Sequence, residues 1–236
     1  MKKAHEILKN TLSSKSHARI KLLGDSITHG VGGTNFAQNG HSFIKDFARN
    51  PNGYCWANKF KRFMEENYNC SVINNACTGT TIEFIINNFD TLVEKDDDLI
   101  ICTIGTNNRH VYFRVGYKPS CEELGTEFYN NVVKLYNMLD AAGKNVIFMT
   151  NIPACAANEQ DGEDYWRILH MDDINAVYKK AKENLGFALI SMYDLFTEYC
   201  QTNNVTINSL LSDGLHPNDR GYDVMYDLIL KELQLS

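Results

Sequence analysis

The stretch DDLIICTIG, residues 97–105, constrains the fold more than any other part of the chain. It is apolar on both faces, so a strand built from it must be covered on both sides. Four more runs have this character: ARIKLLG (18–24), SVINNA (71–76), KNVIFMTNIP (144–153) and GFALISMYD (186–194). Helical spacing fills the gaps between them. WANKFKRFMEENY (56–68) sets Trp56, Phe60, Phe63 and Met64 on one face, and TIEFIINNFDTLV (81–93) repeats the pattern. EFYNNVVKLYNMLDAAG (127–143) places Phe128, Val132, Leu135, Met138 and Leu139 together and stops at Gly143. DDINAVYKKAKENLG (172–186) stops likewise at Gly186. AHEILKNTL (4–12) leads the chain, and RGYDVMYDLILKEL (220–233) closes it. Strand and helix alternate, which predicts one doubly wound α/β domain over residues 1–236, with 1–17 as a leading helical arm.

Composition narrows the class of partner. The 236 residues carry a net charge of −6, which disfavours nucleic acid, because phosphate binding needs clustered Lys and Arg. Glu6, Lys9 and Asn10 interrupt the N-terminal stretch, so it is no signal-peptide core, and no apolar run is long enough to span a bilayer. A cytoplasmic protein without membrane partners is the expectation; a processed secreted form would read similarly. The oligomeric state is not written in the sequence. There are seven cysteines and no Cys-x-x-Cys, so neither a paired disulfide framework nor a zinc site is expected. No phosphate loop or metal motif occurs, and no cofactor is expected.

In sheets of this kind ligands bind outside the carboxyl ends of the strands. The segments to read are therefore Gly24-Asp25-Ser26, Ala76-Cys77-Thr78-Gly79, Gly105-Thr106-Asn107-Asn108 and Asn151-Ile152-Pro153. Ser26 is either a helix cap at an ordinary strand end or a nucleophile at the mouth of the sheet. A serine nucleophile needs a base, an acid to orient the base, and donors for the developing oxyanion. Asp213 and His216, three apart in SDGLHPN, form either a simple turn or an oriented base, if Gly214 lets the chain bend. Asn107 is either a turn residue or an amide donor to an oxyanion. Gly79 permits a backbone geometry or a close approach that a side chain would block.

Taken together, GDS after the first strand, a small residue and glycine after the second, GTNN after the third and DGLHPN before the last helix resemble the SGNH/GDSL hydrolases. The likeness runs from Ile20 to about Gly221 with every block in order. It implies a three-layer α/β/α (flavodoxin-like) domain with a five-stranded parallel sheet. It implies Ser26 as nucleophile, His216 as general base and Asp213 as its partner. The oxyanion donors would be the Ser26 N–H, the Asn107 side chain and a backbone N–H from the second block. Alignment puts Ala76 where the family has glycine for that last donor. If the position needs φ > 0, alanine there is strained by about 1 kcal/mol or more.

The resemblance and the loops together point to an ester substrate. The segment 29–55 is long and polar, with aromatic residues at 36, 43, 47 and 54. Arg109 and Tyr112 follow the oxyanion asparagine, and Trp166 lies in a second polar loop. These three, with Asp25 and Gly79, are candidate substrate-binding residues; Asp25 has the alternative role of capping the next helix. Aromatic and guanidinium groups suit a saccharide, and the family resemblance then implies removal of a short acyl group, acetyl above all, from a carbohydrate. Hydrolysis of simple acyl esters, acyl transfer and glycan binding without catalysis are the alternatives.

Overall fold

Alternation of side chains explains why the central strands read as mostly apolar. The computed structural model describes residues 2–36 and 50–235. Its main sheet holds β1 (Ala18–Gly24), β2 (Cys70–Asn74), β3 (Leu99–Thr103), β5 (Asn145–Met149) and β7 (Ala188–Ile190). Along β3, Leu99 and Ile101 join one buried cluster, while Ile100 and Cys102 join another on the opposite face. Ile147 and Met149 against Val146 and Phe148 repeat this in β5. Helices α1 (Ala4–Ser14), α3 (Trp56–Asn67), α8 (Met192–Thr202) and α9 (Asp219–Glu232) cover the first face with Leu8, Trp56, Phe60, Phe196 and Met225. Helices α4 (Ile82–Asn87), α5 (Phe89–Leu92), α6 (Cys121–Ala141) and α7 (Met171–Leu185) cover the second with Ile85, Leu92, Val132, Leu135 and Tyr178. Each such side chain removed from water contributes about 1.5–3 kcal/mol.

The strand order is β2-β1-β3-β5-β7 and every neighbouring pair is parallel. The chain runs outward from β1 to β2, then returns past β1 to β3. That reversal opens a crevice at the carboxyl ends of β1 and β3, where Gly24 is paired with Thr103. The expected α/β architecture with a five-stranded parallel sheet is what the chain adopts.

Three elements differ from the sequence reading. Helix α6 starts at Cys121, six residues before the apolar repeat, because Ser120 and Glu123 form a reciprocal capping box. The fifth strand stops at Ile190, and Met192, Phe196 and Cys200 turn to the core on a separate helix, α8. A short antiparallel ribbon was not anticipated: β4 (His110–Tyr112) pairs with β6 (Tyr165–Arg167). Among the described residues no helix is long and apolar enough to cross a membrane. All seven thiols are free.

Candidate active site

Ser26 owes its position to the residue before it. Asp25 caps the four-residue helix α2 (Ser26–His29), its carboxylate accepting from the Ile27 N–H at 3.0 Å. Ser26 is thus the first residue of a helical turn, where backbone N–H groups have no intrahelical acceptor. Among the described residues its N–H finds no partner.

The second element is the loop before α9. Asp213 Oδ1 accepts from the N–H groups of Leu215 (3.0 Å) and His216 (2.8 Å), and Gly214 makes this tight turn possible at φ +85°. The ring then returns to the same carboxylate, with His216 Nδ1 2.7 Å from Asp213 Oδ2. Its far nitrogen, Nε2, lies 2.8 Å from Ser26 Oγ. Burial works to raise the Asp213 pKa, but hydrogen bonds from the His216 backbone and ring and from Leu215 hold it below the ordinary value. A carboxylate that stays charged fixes the proton on Nδ1 and leaves Nε2 to accept from the serine. A bridge between Leu211 and Pro217 closes the loop, and the Cys155 N–H donates to Gly214 O at 2.8 Å.

Asn107 stands in a single 3-10 turn, Thr106–Arg109, directly after β3. Its Nδ2 donates to Thr80 O at 2.8 Å, which leaves the second amide hydrogen for another acceptor. The same contact draws Asn107 towards the loop after β2, and His29 Nδ1, 3.1 Å from Thr78 Oγ1, draws that loop to α2.

Ala76 does not fit the role expected of it. It lies outside the positive-φ region, so the feared backbone strain is absent. Its N–H, however, already donates to Asn74 Oδ1 at 3.0 Å, and the residue is buried. Three residues on, Gly79 has φ +81° with open space where a Cβ would stand, and its N–H has no partner among the described residues.

The other candidates divide. Asp25 is fully buried, its carboxylate taken up by Ile27 and by Asn151 Nδ2 at 2.9 Å, so it offers no face to a substrate and shows the capping role instead. Arg109 is also buried. It donates to Thr106 O, Glu159 Oε2 and Asn158 Oδ1 at 2.6–3.1 Å, pinning the loop after β5 rather than facing the crevice. Burial, with Arg167 close by, lowers its guanidinium to about 10. Tyr112 and Trp166 both lie on the β4–β6 ribbon, which starts directly after Arg109, but on opposite faces, since Tyr112 pairs with Tyr165 and Trp166 with Val111. Tyr112 is half-exposed with Arg114 stacked over its ring at 4.8 Å, and Trp166 packs against Phe113 at 4.8 Å. In the loop 29–55, positions 43 and 47 lie outside the described residues.

Two residues without an assigned role complete the centre. Asn151 and Thr106 are buried and joined to each other and to Asp25. Both sit in the strand-end segments that topology marks for chemistry, which was the available signal. Among the described residues the one acidic group able to hold a metal is Glu94, Asp96 and Asp97. Arg19 and Lys21 of β1 already form ion pairs with it, on the side of the strand away from Ser26.

Residues 22–224 match the model of the GDSL-like Lipase/Acylhydrolase family. No curated protein matches by sequence. Among solved structures, the fold is shared with Axe2, an acetylxylan esterase from Geobacillus stearothermophilus. The two are 19% identical with a TM-score of 0.66, over 92% of this chain and 94% of that one. A lipase/acylhydrolase from Enterococcus faecalis is similar at 21% identity and a TM-score of 0.64, over 92% of this chain and 95% of its own.

Proposed function

Because the chain belongs to the GDSL-like Lipase/Acylhydrolase family, we propose that it is a serine ester hydrolase that removes a short acyl group, acetyl above all, from a carbohydrate. One observation carries this: the unbroken contact from Asp213 through His216 to Ser26, 2.7 and 2.8 Å long. Ser26 Oγ bonds to the acyl carbon as its proton passes to His216 Nε2. The carbonyl electrons become an oxyanion, received by the Ser26 N–H, the free hydrogen of Asn107 Nδ2 and, in place of Ala76, the Gly79 N–H. Collapse breaks the bond to the alcohol oxygen, which leaves with the proton from His216. Water then attacks the acyl-enzyme by the same route, gives its proton to His216, and returns serine and a carboxylic acid.

One feature supports the saccharide assignment and another the catalytic residues. Tyr112 and Tyr165 share one face of a ribbon that begins three residues after Asn107, with Arg114, from the turn that follows, stacked over Tyr112 at 4.8 Å and Arg167 over Tyr165 at 4.9 Å. Flat rings beside planar donors suit a sugar better than an extended acyl chain. The Geobacillus esterase also has variants described as catalytic mutants at a serine, and at an aspartate and a histidine three positions apart, the spacing of Asp213 and His216.

Hydrolysis of p-nitrophenyl acetate, butyrate and octanoate, followed by acetylated xylo-oligosaccharides, tests the assignment. Fastest turnover of acetate and release of acetate from the sugars are expected. A preference for octanoate would favour a lipase-like enzyme instead.

A further inference from the structure

The amide of Asn151 reaches two strand ends at once. Asn151 lies two residues beyond β5 and is almost wholly buried. Its Nδ2 donates to Asp25 Oδ2 at 2.9 Å and to Thr106 Oγ1 at 2.5 Å. Asp25 directly precedes Ser26, and Thr106 directly precedes Asn107. The strands that lead into these residues, β1 and β3, are neighbours, and β5 is the next strand beyond β3. One side chain from a third strand therefore braces both the nucleophile's turn and the turn of the oxyanion amide, which also meet through a Thr106 side-chain hydrogen bond to Asp25.

The cost of this amide is visible. Asn151 Oδ1 is buried with no hydrogen-bond partner among the described residues. A buried acceptor left unpaired is unfavourable, so packing alone would favour an apolar or smaller residue here. The two donated bonds are what the amide supplies in return.

We propose that Asn151 is a positioning residue that sets the separation between Ser26 Oγ and the Asn107 amide. It rests on the ester-hydrolase reading above, but makes no contact with substrate. A nucleophile and an oxyanion donor on different strand ends must hold their spacing to a fraction of an ångström, and a displacement near 1 Å can cost about a hundredfold in rate.

The test is Asn151→Ala, assayed on p-nitrophenyl acetate with thermal unfolding in parallel. A fall in kcat of about 10- to 100-fold is expected, with KM within about twofold and Tm unchanged or raised. In an Asn107→Ala background most of that loss disappears, because the spacing then has one fewer group to serve. An unchanged kcat would overturn the proposal, and so would a loss that multiplies in full with Asn107→Ala. Should Asn151→Ala not fold, Thr106→Val removes the other arm of the bridge together with the direct bond to Asp25 and is expected to lower kcat, with Thr106→Ser restoring it; equal rates for the two would overturn the proposal. The rate of Ser26 modification by a fluorophosphonate, followed by intact mass, separates the two levels of inference. If the wild type is modified but cleaves no ester, the ester reading fails and slower modification of Asn151→Ala still supports the bridge. Equal modification rates, or no modification of Ser26 at all, would overturn it.

Discussion

The two ends of β1 bury polar groups in opposite ways. At its amino end Lys21 is almost fully buried, with Nζ 2.6 Å from Glu94 and 3.3 Å from Asp97, and Arg19 adds its Nε to Asp97 at 2.9 Å. Lys144 Nζ donates to three backbone carbonyls of the same corner, Glu94, Lys95 and Asp97, at 2.7–2.9 Å. Charge there is matched by charge, as a buried ion requires. At the carboxyl end the accounts stay open. The N–H groups of Ser26 and Gly79 have no partner among the described residues, Asn151 Oδ1 has none, and Asp25 is a buried carboxylate with no salt bridge there. A corner that is fully satisfied serves stability. On the proposed ester-hydrolase reading, a corner that holds unspent donors is organised for a charge that appears only during reaction.

Substitutions at the two ends should therefore separate activity from stability. The largest effect is expected of Ser26→Ala, which should lower kcat about ten-thousand-fold or more and leave Tm within a few degrees. Asn107→Ala should lower kcat about 100- to 1000-fold, since one oxyanion donor is lost while its bond to Thr80 O is a minor structural contact. Lys21→Met should do the reverse. It leaves Asp97 with Arg19 alone and should cost about 3 kcal/mol, a fall in Tm of roughly 6–12 °C, with kcat unchanged. A Lys21→Met protein that kept its Tm, or lost its activity while folded, would break the comparison.

The smallest effect concerns pH and has opposite signs at the two ends. Burial pushes the Asp25 carboxyl above its ordinary value, against the hydrogen bonds from Ile27, Thr106 and Asn151. The folded state then holds that proton more tightly than the unfolded state, whose pKa is about 3.9. The buried carboxylate thus costs stability at neutral pH, and the cost fades as pH falls through the raised value towards 4. Asp25→Asn should be most favourable to stability, relative to the wild type, near pH 7, and less so near pH 4. Glu94 runs the other way: a hydrogen bond from Lys21 holds its pKa down, so its contribution is present at neutral pH and lost as pH falls through the lowered value. Urea midpoints at the two pH values, for wild type, Asp25→Asn and Glu94→Gln, measure this. A difference between wild type and Asp25→Asn that ignored pH would contradict the assignment for Asp25.

What the sequence disclosed follows from the range of the interactions concerned. The central strands were legible because both faces are buried, so apolar residues dominate them; Arg19 and Lys21 in β1 and the half-covered edge strand β2 are the exceptions. Ser26, Asp213 and His216 were legible because the spacing Asp-x-x-His and the strand-end serine are local patterns, and the fold brings them within hydrogen-bond reach. Arg109 was misjudged because a guanidinium in a polar segment reads as surface, whereas Glu159 and Asn158, some fifty residues away, draw it inward. The mismatch at Ala76 has a similar cause: alignment counts positions, but only the fold shows that the Asn74 side chain consumes that N–H. The start of α6 could have been found from Ser120-x-x-Glu123 alone. The ribbon β4–β6 and the bridge through Asn151 could not, since each joins residues about 45–55 apart or more.

The most direct measurement is to trap the acyl-enzyme. Wild type and His216→Ala are mixed with p-nitrophenyl acetate, quenched in acid within milliseconds to seconds, digested and analysed by peptide mass. An acetyl group on Ser26 that forms quickly in the wild type and far more slowly without His216 is the expected result. Ester cleavage by the wild type with acetyl on no residue, or on a residue other than Ser26, would contradict the account.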